Sequence, residues 1–222
     1  MQTSFIHLRV SSEFSISRGL LRINEIIENA QKLNMPAVAL SDLNNMFGMV
    51  KFFKKAEAAG IKPIAGTILN LRSRSGELGE ILCLAKNNDG LKSLMGIISQ
   101  SQLQQENGYI SITFEDLSSC VGNIVVISGG AASSIFNLAK LKKNQDLKTE
   151  LSSFKETFKD DFCIELQRLG KSFEEEFIQC ILPIASEFLI PVIASNDTMF
   201  SQKEDFDIHE TKVCINTGKT LN

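Results

Sequence analysis

Residues 35–71 read MPAVALSDLNNMFGMVKFFKKAEAAGIKPIAGTILNL and predict a strand, a helix and a second strand in succession. Ala37 to Ser41 is a short apolar run after a proline, which is typical of a buried strand. Gly60 ends a helix in which four apolar residues recur at helical spacing: Met49, Phe52, Phe53 and Ala56. Pro63 to Leu71 is apolar again. Such a unit indicates parallel strands joined by a right-handed crossover.

The same alternation continues along the chain. Five further strands are expected, at Ile6–Val10, Ile81–Ala85, Ile124–Ile127, Phe162–Leu166 and Pro191–Ala194. Helices are expected around them, at 23–33, 91–98, 133–140, 147–158, 173–188 and 205–215, with a short one at 114–117. Pro183 is expected to kink or split its helix. Seven strands with intervening helices predict an α/β fold, a distorted (β/α)7 barrel first and an open doubly wound sheet second, in one domain over residues 1–222.

The composition is that of an ordinary globular protein. The 222 residues are 43% hydrophobic and 22% charged, with a net charge of −3. This argues against disorder and against a dominant nucleic-acid surface, which needs clustered Lys and Arg. No apolar run is long enough to span a membrane, and the five cysteines contain no C-x-x-C pair. We therefore expect reduced thiols and a cytoplasmic protein.

Polar residues gather where the predicted strands end, as at the ligand sites of parallel α/β folds. They are His7, Arg9, Ser11, Asp42, Asn44, Asn45, Ser128, Glu165, Gln167, Arg168, Asn196 and Asp197. His7 and the later His209 are either hydrogen-bonded structural residues, which is the commoner case, or zinc ligands. Asp42 and Asp197 either cap turns or hold a hard cation such as Mg²⁺. Residues 128–131 (SGGA) form either a tight turn or a weak anion site.

Several segments resemble one family in particular, the alpha subunits of bacterial DNA polymerase III. They are FIHLRVSSEFS (5–15), MPAVALSD (35–42), AGIKPIAG (59–66), LAKNN (84–88), SND (195–197) and DFDIHE (205–210). The resemblance runs in order from Phe5 to the last residue. It implies the PHP domain (polymerase and histidinol phosphatase), a distorted seven-stranded barrel. In members with an intact site, His, Asp, Glu and Cys residues at the strand ends bind a cluster of metal ions and hydrolyse phosphoesters.

The resemblance also implies that most of the family's metal ligands are missing. Arg9 and Ser11 stand in place of a His-x-His pair, and Arg18 stands in place of an Asp. Five more positions differ: Leu43, Glu80 and Met199 replace His, Ile68 replaces Glu, and Gly130 replaces Cys. Asp197 alone keeps a ligand-type side chain. Fixed cations and apolar groups are poor surroundings for a dication. We therefore predict no catalytic residue, no metal and no cofactor in this chain, although the family's whole polymerase uses Mg²⁺.

The family suggests a scaffold role. In proteobacterial members with this loss, the PHP region docks the epsilon proofreading exonuclease, so we expect epsilon as a partner, together with the rest of the alpha subunit and the polymerase III holoenzyme. We expect contact with DNA only through the polymerase palm, thumb and fingers, which this sequence lacks, and no membrane. In the family the barrel would continue beyond Asn222, so a fragment or a truncated product is expected. Two rivals stay open: a metal-dependent PHP phosphoesterase and an unrelated small-molecule-binding barrel.

Overall fold

The computed structural model describes residues 5–74, 76–105 and 109–221, and within them it has eight α-helices and seven β-strands. The helices are α1 (Ile23–Lys32), α2 (Met49–Ala58), α3 (Asn88–Leu103), α4 (Phe114–Ser118), α5 (Ser134–Lys140), α6 (Asn144–Phe158), α7 (Glu174–Glu187) and α8 (Phe206–Thr217). The strands are β1 (Ala37–Leu43), β2 (Lys62–Arg72), β3 (Leu78–Ala85), β4 (Ile112–Thr113), β5 (Ile124–Ile127), β6 (Phe162–Leu166) and β7 (Val192–Ala194). Along the described ranges, no helix is both long and apolar enough to cross a lipid bilayer.

The chain divides into two compact units. The first unit is Met1–Gly66 with Asp197–Asn222, and the second is Thr67–Asn196. Residues 62–66 of strand β2 belong to the first unit and residues 67–72 to the second.

In the first unit, β1 and β2 are neighbours in the sheet, and the Lys62 amide donates to the Pro36 carbonyl at 3.0 Å. Helix α1 starts with a capping interaction in which Glu25 accepts from the Arg22 amide at 2.8 Å. Its apolar face and that of α2 are buried, with Ile23 and Phe52 both fully inaccessible. The apolar residues at helical spacing therefore form the core of this unit, as the sequence predicts.

In the second unit the strand order is β2-β3-β5-β6-β7, and the short β4 pairs with β2. Pairs β5–β6 and β6–β7 are parallel, but β3–β5 is antiparallel, with Leu82 opposite Ile127 and Ala85 opposite Ile124. The prediction of parallel pairing is wrong at this pair. The connection from β3 to β5 is not one crossover helix: it contains α3, β4 and α4, and strand direction is not encoded in the hydrophobic pattern of either strand.

Two other predictions also fail locally. Residues 6–10 form no regular strand: Val10 makes an isolated bridge to Thr198, and two backbone hydrogen bonds of 2.9 Å join the segment to β1, from the Ala39 amide to the His7 carbonyl and from the Ser41 amide to the Val10 carbonyl. The reason lies beside β1: the Val10 amide donates to the Ser41 hydroxyl at 2.8 Å instead of to a backbone carbonyl, which interrupts the ladder. Helix α7 runs through Pro183 as one helix, so of the two expected effects of this proline, a kink or a split, the split does not occur.

The loop after β6 is held by a buried carboxylate. Glu174, the first residue of α7, accepts the backbone amides of Leu169, Gly170 and Lys171 on Oε2 at 2.8, 3.0 and 3.1 Å. Three N–H donors converging on one oxygen form a backbone nest around the carboxylate. This arrangement fixes both the loop and the start of the helix.

Candidate functional site

The first unit contains a buried ion pair between two of the predicted site residues, Arg9 and Asp197. Arg9 has a side chain that is 1% exposed, and its Nε lies 3.1 Å from Oδ1 of Asp197, which is 11% exposed. The surrounding backbone is paired as well: the Ser11 amide donates to the Thr198 carbonyl at 2.9 Å, and the Thr198 amide donates to the Arg9 carbonyl at 3.1 Å. The guanidinium and the carboxylate are therefore held together by both side chains and main chain.

Asp42, at the end of β1, accepts hydrogen bonds from the loop that contains Ser12 and Ser15. Its Oδ1 accepts from the Ser12 amide at 2.7 Å and from the Ser15 hydroxyl at 2.6 Å, and its Oδ2 accepts from the Ser12 hydroxyl at 2.8 Å. Burial raises the pKa of Asp42, whereas these hydrogen bonds and the positive charge of Arg18 oppose that rise. Of the two predicted roles for Asp42, the structure favours the turn-forming one. The sequence did not reveal the two serines.

Four other predicted positions in the first unit are Ser11, Arg18, Leu43 and Met199. Ser11 is fully buried, whereas the other three are partly exposed. Leu43 donates its amide to the Ser15 hydroxyl at 3.0 Å, and the Met199 carbonyl accepts the Leu20 amide at 2.8 Å. These backbone contacts join Leu43 to Ser15 and Met199 to Leu20. The alkyl side chain of Leu43 and the thioether of Met199 offer no ligand for a hard cation.

Both histidines make hydrogen bonds within the first unit, as the commoner interpretation predicts. Nδ1 of His7 lies 3.2 Å from the Thr198 hydroxyl, and Nδ1 of His209 donates to the Arg18 carbonyl at 2.9 Å. Burial lowers the pKa of His7, which keeps its ring neutral near pH 7. Each ring therefore has a structural partner.

The remaining predicted positions, Ile68, Glu80 and Gly130, belong to the second unit. Ile68 is fully buried and Glu80 partly exposed. Gly130 has φ +60°, and a Cβ there would lie 2.5 Å from Oε1 of Gln167. The buried Gln167 side chain thus takes the space that any side chain at Gly130 would need. The consecutive glycines after β5 were the available sequence signal, but they did not reveal which residue fills that space.

The second unit also holds a polar cluster around the ends of β6 and β7. Ser195 donates its hydroxyl to Glu165, and Nε2 of Gln167 donates to the Ser195 oxygen at 3.2 Å. Glu165, which is fully buried, also donates its amide to the Ser128 hydroxyl at 2.9 Å. Glu165, Gln167 and Ser128 were predicted as strand-end site residues, whereas Ser195 was not, although it directly follows the predicted strand that ends at Ala194.

These residues do not fit a metal cluster. Among residues 5–74, 76–105 and 109–221, no group of three or more His, Cys, Asp and Glu side chains is placed to hold a metal ion. In the first unit, the carboxylate of Asp197 faces the guanidinium of Arg9, which already supplies a positive charge. A second cation there would meet electrostatic repulsion.

The sequence matches the family model of the PHP domain over residues 7–169. The chain belongs to the PHP domain family. Its curated relatives are DNA polymerase III alpha subunits: it is 37% identical to that of Pseudomonas aeruginosa over 100% of the chain, and 34% identical to that of Escherichia coli K12 over 98%. The chain spans about a fifth of these relatives, 19% of each. The matched part is the PHP region of polymerase III alpha subunits, as the resemblance predicts.

Solved structures confirm the predicted α/β fold. A protein of Bifidobacterium adolescentis described as a metal-dependent phosphoesterase superposes with a TM-score of 0.63 at 12% identity, covering 93% of this chain and 96% of that one. An amidohydrolase of Chromobacterium violaceum, solved with bound sulfate and no metal, gives a TM-score of 0.62 at 12% identity over 93% and 96% of the two chains. At this identity the likeness concerns the fold alone.

Proposed function

We propose that this chain is a catalytically inactive PHP region of a DNA polymerase III alpha subunit and that it serves as a docking platform for the epsilon proofreading exonuclease. The family membership and the polymerase relatives support the parent protein. In this proposal, DNA synthesis with Mg²⁺ and contact with DNA belong to the other domains of that subunit, within the polymerase III holoenzyme of the cytoplasm.

The single observation that carries the inactive-site proposal is the ion pair between Arg9 and Asp197. The resemblance gives Asp197 as the last metal-ligand type in the chain, and its carboxylate lies 3.1 Å from a guanidinium that is 1% exposed. A guanidinium keeps its positive charge at all physiological pH values. Arg9 therefore supplies within the protein the charge that a metal ion would bring, and it does so without Lewis acidity or a bound water.

Two features of the second unit support the same interpretation. At Gly130, given by the resemblance as a former cysteine position, the neighbouring space is filled by Gln167. At Ile68, the former glutamate position, an alkyl side chain is fully buried. A ligand side chain at Gly130 would require the end of the Gln167 side chain to move, and a carboxylate at Ile68 would replace a fully buried alkyl group, so the packing supports the proposed loss of the site as well as the charges.

A binding experiment tests the docking role. The chain and, separately, the full-length alpha subunit are titrated against the epsilon exonuclease of the same organism by isothermal calorimetry. The proposal predicts saturable binding of equal stoichiometry to both. Lack of binding by the chain, at concentrations where the full-length subunit is saturated, would refute the docking role.

One observation favours a second candidate, a metal-dependent phosphoesterase: the fold matches a protein described in those words. This candidate predicts that the purified chain contains metal by elemental analysis and hydrolyses p-nitrophenyl phosphate until a chelator is added. Asp197→Ala would then abolish turnover. Under the scaffold proposal, hydrolysis stays at background with or without added Mn²⁺ or Zn²⁺, and the substitution changes nothing in this assay.

A further inference from the structure

A small polar cavity lies in the second unit, between the start of α7 and the residues that follow β5 and β6. It is lined by Gly130, Ala131, Phe136, Glu165, Gln167, Glu174 and Phe177. All of these residues are buried except Ala131, which is half-buried. The space open to the centre of a water molecule is about 10 Å³. A cavity needs roughly 10–15 Å³ by this measure to hold one water, so there is room for one molecule of that size and for nothing larger.

Glu174 supplies an acceptor that faces this cavity. Its Oε2 is the oxygen that accepts the three backbone amides of the loop after β6. Its Oε1 is buried and has no hydrogen-bond partner among residues 5–74, 76–105 and 109–221. The whole residue is only 5% exposed. Buried oxygens of this kind nearly always have a partner in the protein or in an ordered water, because an unpaired one destabilises the fold.

Gln167 and Ala131 add a second acceptor and a donor. Nε2 of Gln167 donates to the Ser195 hydroxyl at 3.2 Å, which leaves Oε1 to face Gly130 and Ala131. The Ala131 amide lies 3.5 Å from this Oε1, at the outer limit of a hydrogen bond. An amide oxygen has two lone pairs, so Oε1 can accept a further donor. The cavity thus offers two oxygen acceptors and one N–H group that is only weakly used.

This set of groups favours water over an ion. An anion would meet the carboxylates of Glu165 and Glu174, and a cation would meet the positive end of the Ala131 N–H group. An apolar group would leave the polar atoms without partners. Water donates two hydrogen bonds and accepts others, and buried waters typically make about three in all. The two acceptors and the one donor match that number.

The walls of the cavity are fixed. The rings of Phe136 and Phe177 are 4.9 Å apart between centroids, and Phe173 contacts Phe136 edge-on at 5.7 Å. Glu174 is held by the loop amides described above. A molecule in this cavity is therefore enclosed by the turn after β5, the loop after β6 and the first turn of α7, and it exchanges with solvent when one of these opens.

We propose that this cavity is a binding site for one structural water molecule. The water donates hydrogen bonds to Oε1 of Glu174 and Oε1 of Gln167, and it accepts one from the Ala131 amide. It thereby joins α7 to the segments that follow β5 and β6. The inference goes beyond the proposed function, which neither requires nor excludes it.

A crystal structure of the chain at a resolution that shows ordered water tests the site directly. One peak is expected in the cavity, at about 2.7–3.2 Å from Oε1 of Glu174, Oε1 of Gln167 and the Ala131 nitrogen. A cavity without a peak would overturn the proposal. So would a peak with oxygen ligands at about 2.3–2.6 Å, which is the distance range of a bound metal cation such as Ca²⁺.

A second measurement uses the chain in solution. Magnetic relaxation dispersion of the solvent counts the water molecules that stay bound for longer than the protein takes to rotate. Gln167→Met keeps the length of the side chain and removes the acceptor, and Gln145→Met, at an exposed position, is the matched control. After circular dichroism has verified both folds, Gln167→Met should lose one long-lived water and the control none. An unchanged number in Gln167→Met contradicts the proposal, and if that variant does not fold, the crystal structure of the unaltered chain decides.

Discussion

Removing Arg9 should destabilise the fold strongly, because its charge balances a nearly buried carboxylate. At 3.1 Å and an effective dielectric constant of about 20, the attraction between Arg9 and Asp197 amounts to about 5 kcal/mol before desolvation is counted. Breaking a buried pair from one side costs about 3–5 kcal/mol, since the other charge stays behind. Arg9→Met should therefore lower the free energy of unfolding by that amount, which lowers Tm by roughly 6–20 °C at this chain length.

Urea denaturation of four proteins measures this effect: the parent chain, Arg9→Met, Asp197→Asn and the double variant. The carboxylate is removed in the double variant, so it should recover at least about 1 kcal/mol relative to the sum of the single losses. The control is Arg168→Met, since Arg168 is 71% exposed and pairs with Glu175 at the surface. That change should cost less than about 1 kcal/mol. Additivity within about 0.5 kcal/mol for Arg9 and Asp197 would refute the coupling, as would equal losses for Arg9→Met and Arg168→Met.

Three further expectations concern other buried groups. Burial raises the pKa of Glu150 to about 7, so the folded state keeps a proton that the unfolded chain releases near pH 4.5. The free energy of unfolding should therefore fall by up to about 3 kcal/mol as the pH rises between these two values. Urea titrations at pH 5 and 8 should show this loss in the parent chain and not in Glu150→Gln. Gly130→Ala should cost roughly 1–3 kcal/mol in thermal unfolding, because its Cβ would overlap Gln167 and φ is +60°; an unchanged Tm would contradict this. Ser15→Ala removes the 2.6 Å hydrogen bond to Asp42 and should lower the free energy of unfolding by about 1–3 kcal/mol in the same assay. The control is Ser172→Ala, at an exposed position.

The hydrophobic pattern predicted most of the elements because it records which residues are buried. The spacing of Met49, Phe52 and Ala56 gave α2, and the run from Ile124 to Ile127 gave β5 with its bounds. The hydrophobic pattern indicates neither the direction of a strand nor the backbone group to which a polar side chain forms a hydrogen bond. The antiparallel β3–β5 pair and the interrupted ladder at Val10 could not be predicted for those reasons.

The candidate site was predictable in residue type but not in contacts. Arg9 and Asp197 were both identified from the sequence, yet their pairing joins residues 188 positions apart, and no local pattern encodes it. The role of Ser12 and Ser15 around Asp42 depends on the rotamers of a loop. The filling of the space at Gly130 by Gln167 depends on how two strand ends approach each other in the second unit. Such facts belong to tertiary packing, which one sequence does not specify residue by residue.

The carboxylate nest at the start of α7 has a consequence for proteases. Arg168 and Lys171 give trypsin two cleavage points within four exposed or half-exposed residues of one loop. A protease must draw such a segment into its active-site cleft, and here that requires the amides of 169–171 to leave Glu174. Digestion at this loop should therefore be slow in the intact chain and should report the rate at which the first turn of α7 opens.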